Sequence, residues 1–349
     1  MSAMTPSLPT ESAARAAARE AFLARSGHAG HALDALPADA SARRYFRLGG
    51  QGLLLMDSPP GAEPLAPYLQ VAELLHACGL SAPRVLAADT EQGLALIEDF
   101  GQATYTRLFA GGHAVAPLYQ LAVDALVELH RAGPAAAEGL PAYDATRLAD
   151  ECALFIDWYA PLLVGRAAAA KLRERYLATF AEACRAVATR REVLVLRDYH
   201  VDNLMYLEGR PGVAACGLLD FQDALCGAPA YDLMSLLEDA RRDVPETLRI
   251  SLLTHYLIQR PELDGRTFMA DYQVLAAQRH AKVLGIFVRL AKRDGKRGYL
   301  AHLPRVLGLF QRALQAEALG PLNNLLDHHL PNWREPLHAD VLAQRLATD

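Results

Sequence analysis

Two aspartates and an asparagine, held at fixed spacing around a short β island, constrain this 349-residue chain more than anything else in it. The stretch Leu196-Arg197-Asp198-Tyr199-His200-Val201-Asp202-Asn203 is followed by the apolar run Leu218-Leu219, which ends in Asp220-Phe221-Gln222. Asp198 and Asn203 are five residues apart, and Asp220 lies 22 residues beyond Asp198. Strand-like segments Val193 to Leu196, Leu204 to Leu207 and Val213 to Leu219 separate the polar positions, and Glu208-Gly209-Arg210-Pro211-Gly212 turns between the last two. Loops held at both ends by strands fix carboxylates accurately. Asp and Asn in loops are usually turn formers, so each residue alone says little; the joint spacing carries the information.

That spacing fits phosphoryl transfer. The reaction asks a protein for a carboxylate at the acceptor hydroxyl, for Mg²⁺ bridging the phosphates, and for cations against their charge. Asp198 fits the first role. Asn203 and Asp220 fit the second, as oxygen ligands of a hard cation that keeps several waters. ATP and Mg²⁺ are the expected cofactors.

The rest of the chain divides around this centre. The expected fold class is α+β, a protein-kinase-like two-lobe fold with a small β-rich N-lobe and a mainly helical C-lobe. Residues 1–98 form the nucleotide-binding lobe, with 1–12 unstructured and a short helix over 13–26. A hairpin pairs Tyr45 to Leu48 with Leu53 to Met56, an amphipathic helix runs from Leu65 to Cys78, and strands Arg84 to Ala88 and Leu94 to Ile97 complete the unit. Residues 99–102 are the hinge. Residues 103–349 form the second lobe, with helices expected near 116–131, 146–160, 167–188, 230–242, 246–258, 268–292, 298–318 and 338–347.

Composition excludes several classes. No run approaches the ~18 uninterrupted apolar residues of a membrane span, and the N-terminus lacks the basic-then-apolar order of a signal peptide. Five scattered cysteines with no Cys-x-x-Cys pair read as reduced thiols in a cytoplasmic protein. A net charge of −5 disfavours nucleic-acid binding. A small-molecule acceptor and a monomer are expected. The first 100 residues carry 7 basic and 11 acidic side chains, which leaves the remainder at net −1. A lobe built for polycationic acceptors would be acidic; this balance favours a neutral or anionic one.

The motifs resemble those of the aminoglycoside phosphotransferase family, whose fold is related to protein kinases. Asp198, His200 and Asn203 match the family loop His-Gly-Asp-x-His-x-x-Asn, with Leu196 and Arg197 departing from its first two positions. Leu219-Asp220-Phe221 and Gly227-Ala228-Pro229-Ala230-Tyr231-Asp232-Leu233 match the later pattern. The resemblance implies that Asp232, with His200, supports the catalytic loop rather than touching substrate. The phrases at 43–47, 55–60, 196–205, 218–224 and 231–244 look like one bacterial branch, the anomeric kinases of N-acetylmuramate and N-acetylglucosamine in cell-wall recycling. That implies transfer from ATP to the C1 hydroxyl of an amino sugar. Arg197, Arg241 or Arg242 would then meet the acceptor carboxylate, and Asp202, Gln222, Asp223 and Asp239 its hydroxyls or acetamido N–H.

One departure stands out. The only lysines are Lys171, Lys282, Lys292 and Lys296, so the N-lobe has none. A kinase ordinarily places one on its third strand, here near Met56, paired with a helix Glu for which Glu73 is the candidate. The phosphate cation must be arginine, Arg43 or Arg44, in a turn covering the phosphates with Ser41 and backbone N–H groups. Glu98 and Phe100 fall on the hinge, where backbone groups would read adenine and Phe100 would pack on the base or into the core. Two other readings remain: a phosphotransferase for another small metabolite or an antibiotic, and a catalytically silent nucleotide-binding protein, which the missing lysine supports and the intact Asp198, Asn203 and Asp220 oppose.

Overall fold

A computed structural model describes residues 13–37, 43–337, 342 and 344–346. Ser41, and most of the helix expected over 338–347, lie outside the described residues.

The N-lobe is a five-stranded antiparallel sheet in the order β1-β2-β3-β5-β4, formed by β1 (Leu33–Ala35), β2 (Arg44–Leu48), β3 (Leu53–Asp57), β4 (Val85–Asp89) and β5 (Leu94–Glu98). Side chains alternate across a pleated strand, and here both faces are covered. Phe46, Leu48, Leu53, Leu55, Leu94 and Leu96 pack with Phe22 and Leu23 of α1 (Ala13–Arg25). Met56, Ala95 and Ile97 face the other way, onto Tyr68, Val71 and Leu75 of α2 (Ala66–Ala77). The hairpin register Arg44↔Asp57 through Leu48↔Leu53 fixes which residues point where. Asp57, at the end of β3, is buried and takes hydrogen bonds from Arg15 at 2.8 Å and Arg19 at 2.9 Å, which fastens α1 to the sheet.

The C-lobe follows the 99–104 connection. Its helices are α3 (Tyr105–Ala110), α4 (Val115–Arg131), α5 (Ala145–Leu154), α6 (Pro161–Val164), α7 (Arg166–Cys184), α8 (Ala230–Leu237), α9 (Glu246–Gln259), α10 (Gly265–Arg293), α11 (Leu303–Ala313) and α12 (Gly320–His329). The β island consists of two ladders: β6 (Val193–Val195) pairs with β9 (Leu225–Gly227), and β7 (Leu204–Tyr206) with β8 (Cys216–Leu218). The third expected strand is shorter than its apolar run, because Gly212–Ala215 makes a tight 3₁₀ turn first. The helix expected over 230–242 ends at Leu237, and the segment after it is irregular. Among the described residues no helix is long and apolar enough to cross a membrane.

The 29-residue α10 runs through the centre, buried on most of its circumference and packed against α5, α8 and α11. Close approach to α5 depends on Gly285: a Cβ there would sit 2.1 Å from the carbonyl oxygen of Leu154. Leu154 is the last residue before a π-helical turn, Phe155–Tyr159, so the contact meets a backbone already locally rearranged. Gly285→Ala is expected to destabilise the protein by about 1–3 kcal/mol, the usual cost of overpacking. Urea unfolding would show it as a lower midpoint at an unchanged slope.

Candidate functional site

Asp198 lies in an irregular loop after β6 and Asp220 in the loop after β8, and each loop contains one residue with an unusual backbone. Arg197 has φ +70° and Asp220 φ +58°, a region that non-glycine residues seldom occupy. The surroundings must hold them. Asp232, in the first turn of α8 and buried, accepts hydrogen bonds from the backbone N–H of Leu196 at 2.6 Å and of Arg197 at 2.9 Å. Burial pushes its carboxyl up to about 7, against the pull of those two bonds. Tyr199 Oη donates to the Ala122 carbonyl at 2.8 Å and ties the loop to α4. His200 is buried beneath the loop, its Nδ1 4.0 Å from Asp202 Oδ2.

Asn203 joins the two aspartates. Its Nδ2 donates to the Asp198 carbonyl at 3.0 Å and to Asp220 Oδ2 at 3.4 Å, which leaves its Oδ1 as a free-facing acceptor. The Leu219 N–H donates to the Asn203 carbonyl at 3.0 Å, and Gln222 Nε2 to Asp220 Oδ1 at 2.9 Å. Asp220 is solvent-accessible but flanked by protein. Those surroundings, and the negative charge of Asp198, raise its carboxyl above the ordinary value although Gln222 opposes this. The Asp220 carboxylate and the Asn203 amide oxygen are the donor types that suit a hard divalent cation that also binds phosphate and water.

The cations around Asp198 come from far along the chain. Arg279 of α10 places Nη2 3.5 Å from Asp198 Oδ1, and donates from Nη1 to the Arg197 carbonyl at 2.8 Å and to Tyr231 Oη at 3.2 Å. Partial burial alone would raise the Asp198 carboxyl; Arg279, Lys282, His200 and Arg197 outweigh it and hold the group well below the usual carboxylate range. One turn on, Lys282 Nζ reaches Glu151 Oε1 at 2.8 Å. Glu151, on α5, also binds the Arg197 guanidinium and Tyr143 Oη, and accepts from Gln278 at 2.8 Å. No sequence motif marks Glu151, Arg279 or Lys282. The one available signal was that Lys282 is one of only four lysines in the sequence.

On the nucleotide side, Arg44 is the first residue of β2, and Arg43 is buried just before it, at the end of a β1–β2 connection whose residues 38–42 lie outside the described residues. Neither arginine is in the β2–β3 turn, Gly49–Gly52. Nor is Glu73 the acidic partner, since it is exposed on α2. Arg43 pairs instead with Glu63, in the β3–α2 loop, at 3.3 Å, and lies over the Tyr68 ring at 6.0 Å. Tyr68 stacks on Phe221 at 4.8 Å, and the neighbouring Tyr45 bonds Arg43 and feels the Asp220 charge. Arg43 is thereby linked through two rings to the Asp220 loop. Met56 is fully buried in the sheet–α2 core. At the hinge, Glu98 is bound by Arg210 at 2.5 Å, and the Arg210 guanidinium stands 5.1 Å from the half-buried Phe100 ring. Phe100 packs so closely on Gly217 that a Cβ there would come within 2.9 Å of the ring.

The remaining acceptor candidates separate. Arg197 spends its guanidinium on Glu151, and Asp223, with an exposed side chain, reaches Arg197 only at 4.0 Å. Asp202 lies 3.8 Å from Arg241, whose guanidinium is also near the Phe287 and Tyr299 rings. Asp239 is buried, with Oδ1 accepting the Arg241 N–H at 2.7 Å.

Comparison with known proteins bears on the family and the fold. A family profile described as "Phosphotransferase enzyme family" matches residues 32–272. An N-acetylmuramate/N-acetylglucosamine kinase of Caulobacter vibrioides is 37% identical, over 92% of this chain and 98% of its own. A protein of the same name from Pseudomonas aeruginosa is also 37% identical, over 82% of this chain and 86% of its own. The streptomycin–ATP ternary complex of APH(2'')-IIa shares the fold, with a TM-score of 0.55 over 89% of this chain and 98% of that one, at 14% identity.

Glu151 yields a pH test. Burial raises its carboxyl, but Lys282 and Arg197 overcome that and bring it down to about 2, from an ordinary 4.5. A depressed pKa contributes stability above about pH 4.5, and that contribution is lost as pH falls through about 2; the difference is worth roughly 3 kcal/mol. Glu151→Gln should be less stable at pH 7, and its stability should fall less steeply between pH 5 and 2.5. Urea midpoints across that range measure it; parallel curves would contradict it.

Proposed function

This chain belongs to the phosphotransferase enzyme family, and we propose that it transfers the γ-phosphoryl group of ATP to the C1 hydroxyl of N-acetylmuramate and N-acetylglucosamine. The observation that carries the reading is the Asn203 side chain joining the Asp198 loop to Asp220, in a chain whose near full-length relatives bear the name of kinases for these two sugars. In a bacterial cell the product, a sugar 1-phosphate, would serve peptidoglycan recycling in the cytoplasm.

Asn203 Oδ1 and the Asp220 carboxylate would hold Mg²⁺, which screens the phosphate charge. Asp198 is ionised at neutral pH under the influence of Arg279 and Lys282, so it accepts a hydrogen bond from the attacking hydroxyl and orients it. An anomeric hydroxyl is more acidic than other sugar hydroxyls, so a weak base suffices, with proton transfer late. Arg43, permanently charged and seated between Glu63 and Tyr68, supplies the cation that an N-lobe lysine would otherwise provide. Phe100 and the hinge backbone flank the adenine.

Phosphorus NMR of reactions with each sugar and ATP–Mg²⁺ should show an anomeric phosphate and loss of the reducing end. A phosphate on any other carbon would overturn the regiochemistry. Asp198→Asn should keep the fold and lose at least ~10²-fold in kcat, whereas Arg43→Ala should act chiefly on the KM for ATP. Full activity in the first variant, or an unchanged KM in the second, would remove the corresponding role.

A further inference from the structure

Between the segment after α8 and helix α11 lies a cavity of about 290 Å³, lined among others by Asp239, Arg242, Arg305 and Arg312. Two of these groups lack the partners that their chemistry demands. Asp239 is 2% exposed, and its Oδ2 has no hydrogen-bond partner among the described residues. A buried carboxylate oxygen left in that state is costly, and such a group calls for a ligand. The Arg242 guanidinium carbon stands 4.5 Å from the centre of the Phe109 ring, and no described carboxylate is within ion-pair distance of it. The cavity thus holds an acceptor awaiting a donor and, beside it, cations awaiting an anion.

The other arginines suggested for the acceptor carboxylate are already engaged. Arg197 is held by Glu151, and Arg241 sits beside Asp202. Arg305 pairs with the exposed Asp243. Arg242 and Arg312 are the lining guanidinium groups with no carboxylate at ion-pair distance among the described residues, and of the two Arg242 stands over the Phe109 ring, which steadies it for recognising a carboxylate. The cavity is tied to the catalytic loop through Arg241, whose backbone N–H binds Asp239 Oδ1 at 2.7 Å and whose guanidinium lies 3.8 Å from Asp202.

Building on the kinase reading above, we propose that this cavity is the acceptor subsite that distinguishes an anionic sugar from a neutral one. Asp239 Oδ2 accepts a hydrogen bond from a hydroxyl or acetamido N–H of the ring, and Arg242 binds a carboxylate appended to it. N-acetylmuramate presents both groups, and N-acetylglucosamine only the first.

Equilibrium binding tests this without requiring turnover. Calorimetry would measure each sugar against the wild-type chain, Asp239→Asn and Arg242→Met; the methionine keeps an apolar contact with Phe109 but removes the charge. The ratio of N-acetylmuramate to N-acetylglucosamine affinity should fall at least 10-fold in Arg242→Met and recover in part in Arg242→Lys. Asp239→Asn should weaken both sugars by similar factors while ATP binding, measured in the same samples, reports an intact fold. Equal losses for the two sugars in Arg242→Met, an unchanged ratio, or no binding of either sugar to the wild type would overturn the subsite. Binding with the predicted pattern but no phosphoryl transfer would leave the subsite standing and refute the kinase reading instead.

Discussion

The loop that presents Asp198 depends on a set of ionisable groups, most of them buried, with Asp198 at its exposed edge. Asp198, Glu151 and Asp232 supply three carboxylates; Arg197, Arg279 and Lys282 supply three cations. Arg279 and Lys282 could not be buried alone, because an isolated charge in a protein interior costs several kcal/mol. Each is tolerated because a carboxylate, Asp198 or Glu151, stands beside it. Asp232 and Arg279 also bind backbone at Leu196 and Arg197, so the same charges that neutralise one another hold a residue at positive φ. Burial of the ions and strain in the loop are one arrangement.

That arrangement explains the position of α10. A helix bringing Arg279 and Lys282 to the loop must pass through the middle of the lobe, and it passes close to α5 only because Gly285 has no side chain. Glu151 sits on α5 and meets Lys282 across that contact. Distortion of the α5–α10 contact would therefore be felt at Asp198 through Lys282 and Arg197, although neither helix carries a residue of the Asp–Asn–Asp pattern.

The sequence was informative where the determinants were local. The hairpin over 44–57 followed from alternation and glycines, and the loops around Asp198, Asn203 and Asp220 from spacing within 23 residues. It was silent where partners lie far apart. Glu151, Arg279 and Lys282 read as ordinary helix residues until the fold brings 151, 197 and 282 together. The short elements β1, α3 and α12 escaped notice because three to ten residues carry too little periodicity. Arg43 was named for its charge, but its role as a buried residue before β2 required the register Arg44↔Asp57. The acid opposite it also had to be found in space, since Glu63 is in a loop and Glu73, the residue with helical spacing, faces solvent.

The missing lysine then has a physical resolution. A lysine on the third strand must run its charge along an extended stem from the sheet, and Met56 occupies that inward direction with apolar surface. Arg43 approaches from just before the neighbouring strand β2, and its guanidinium lies 6.0 Å from the Tyr68 ring centre while forming an ion pair with Glu63 at 3.3 Å. Because guanidinium stays charged even when desolvated, it remains effective at a depth where a lysine would give up its proton more readily. Tyr68 passes that position on to Phe221 by stacking, and Phe221 is the residue next to Asp220. The Arg43 guanidinium of the N-lobe and the Asp220 loop of the C-lobe are thus joined through two aromatic rings, and under the proposed function that contact would couple the phosphate cation to the metal site.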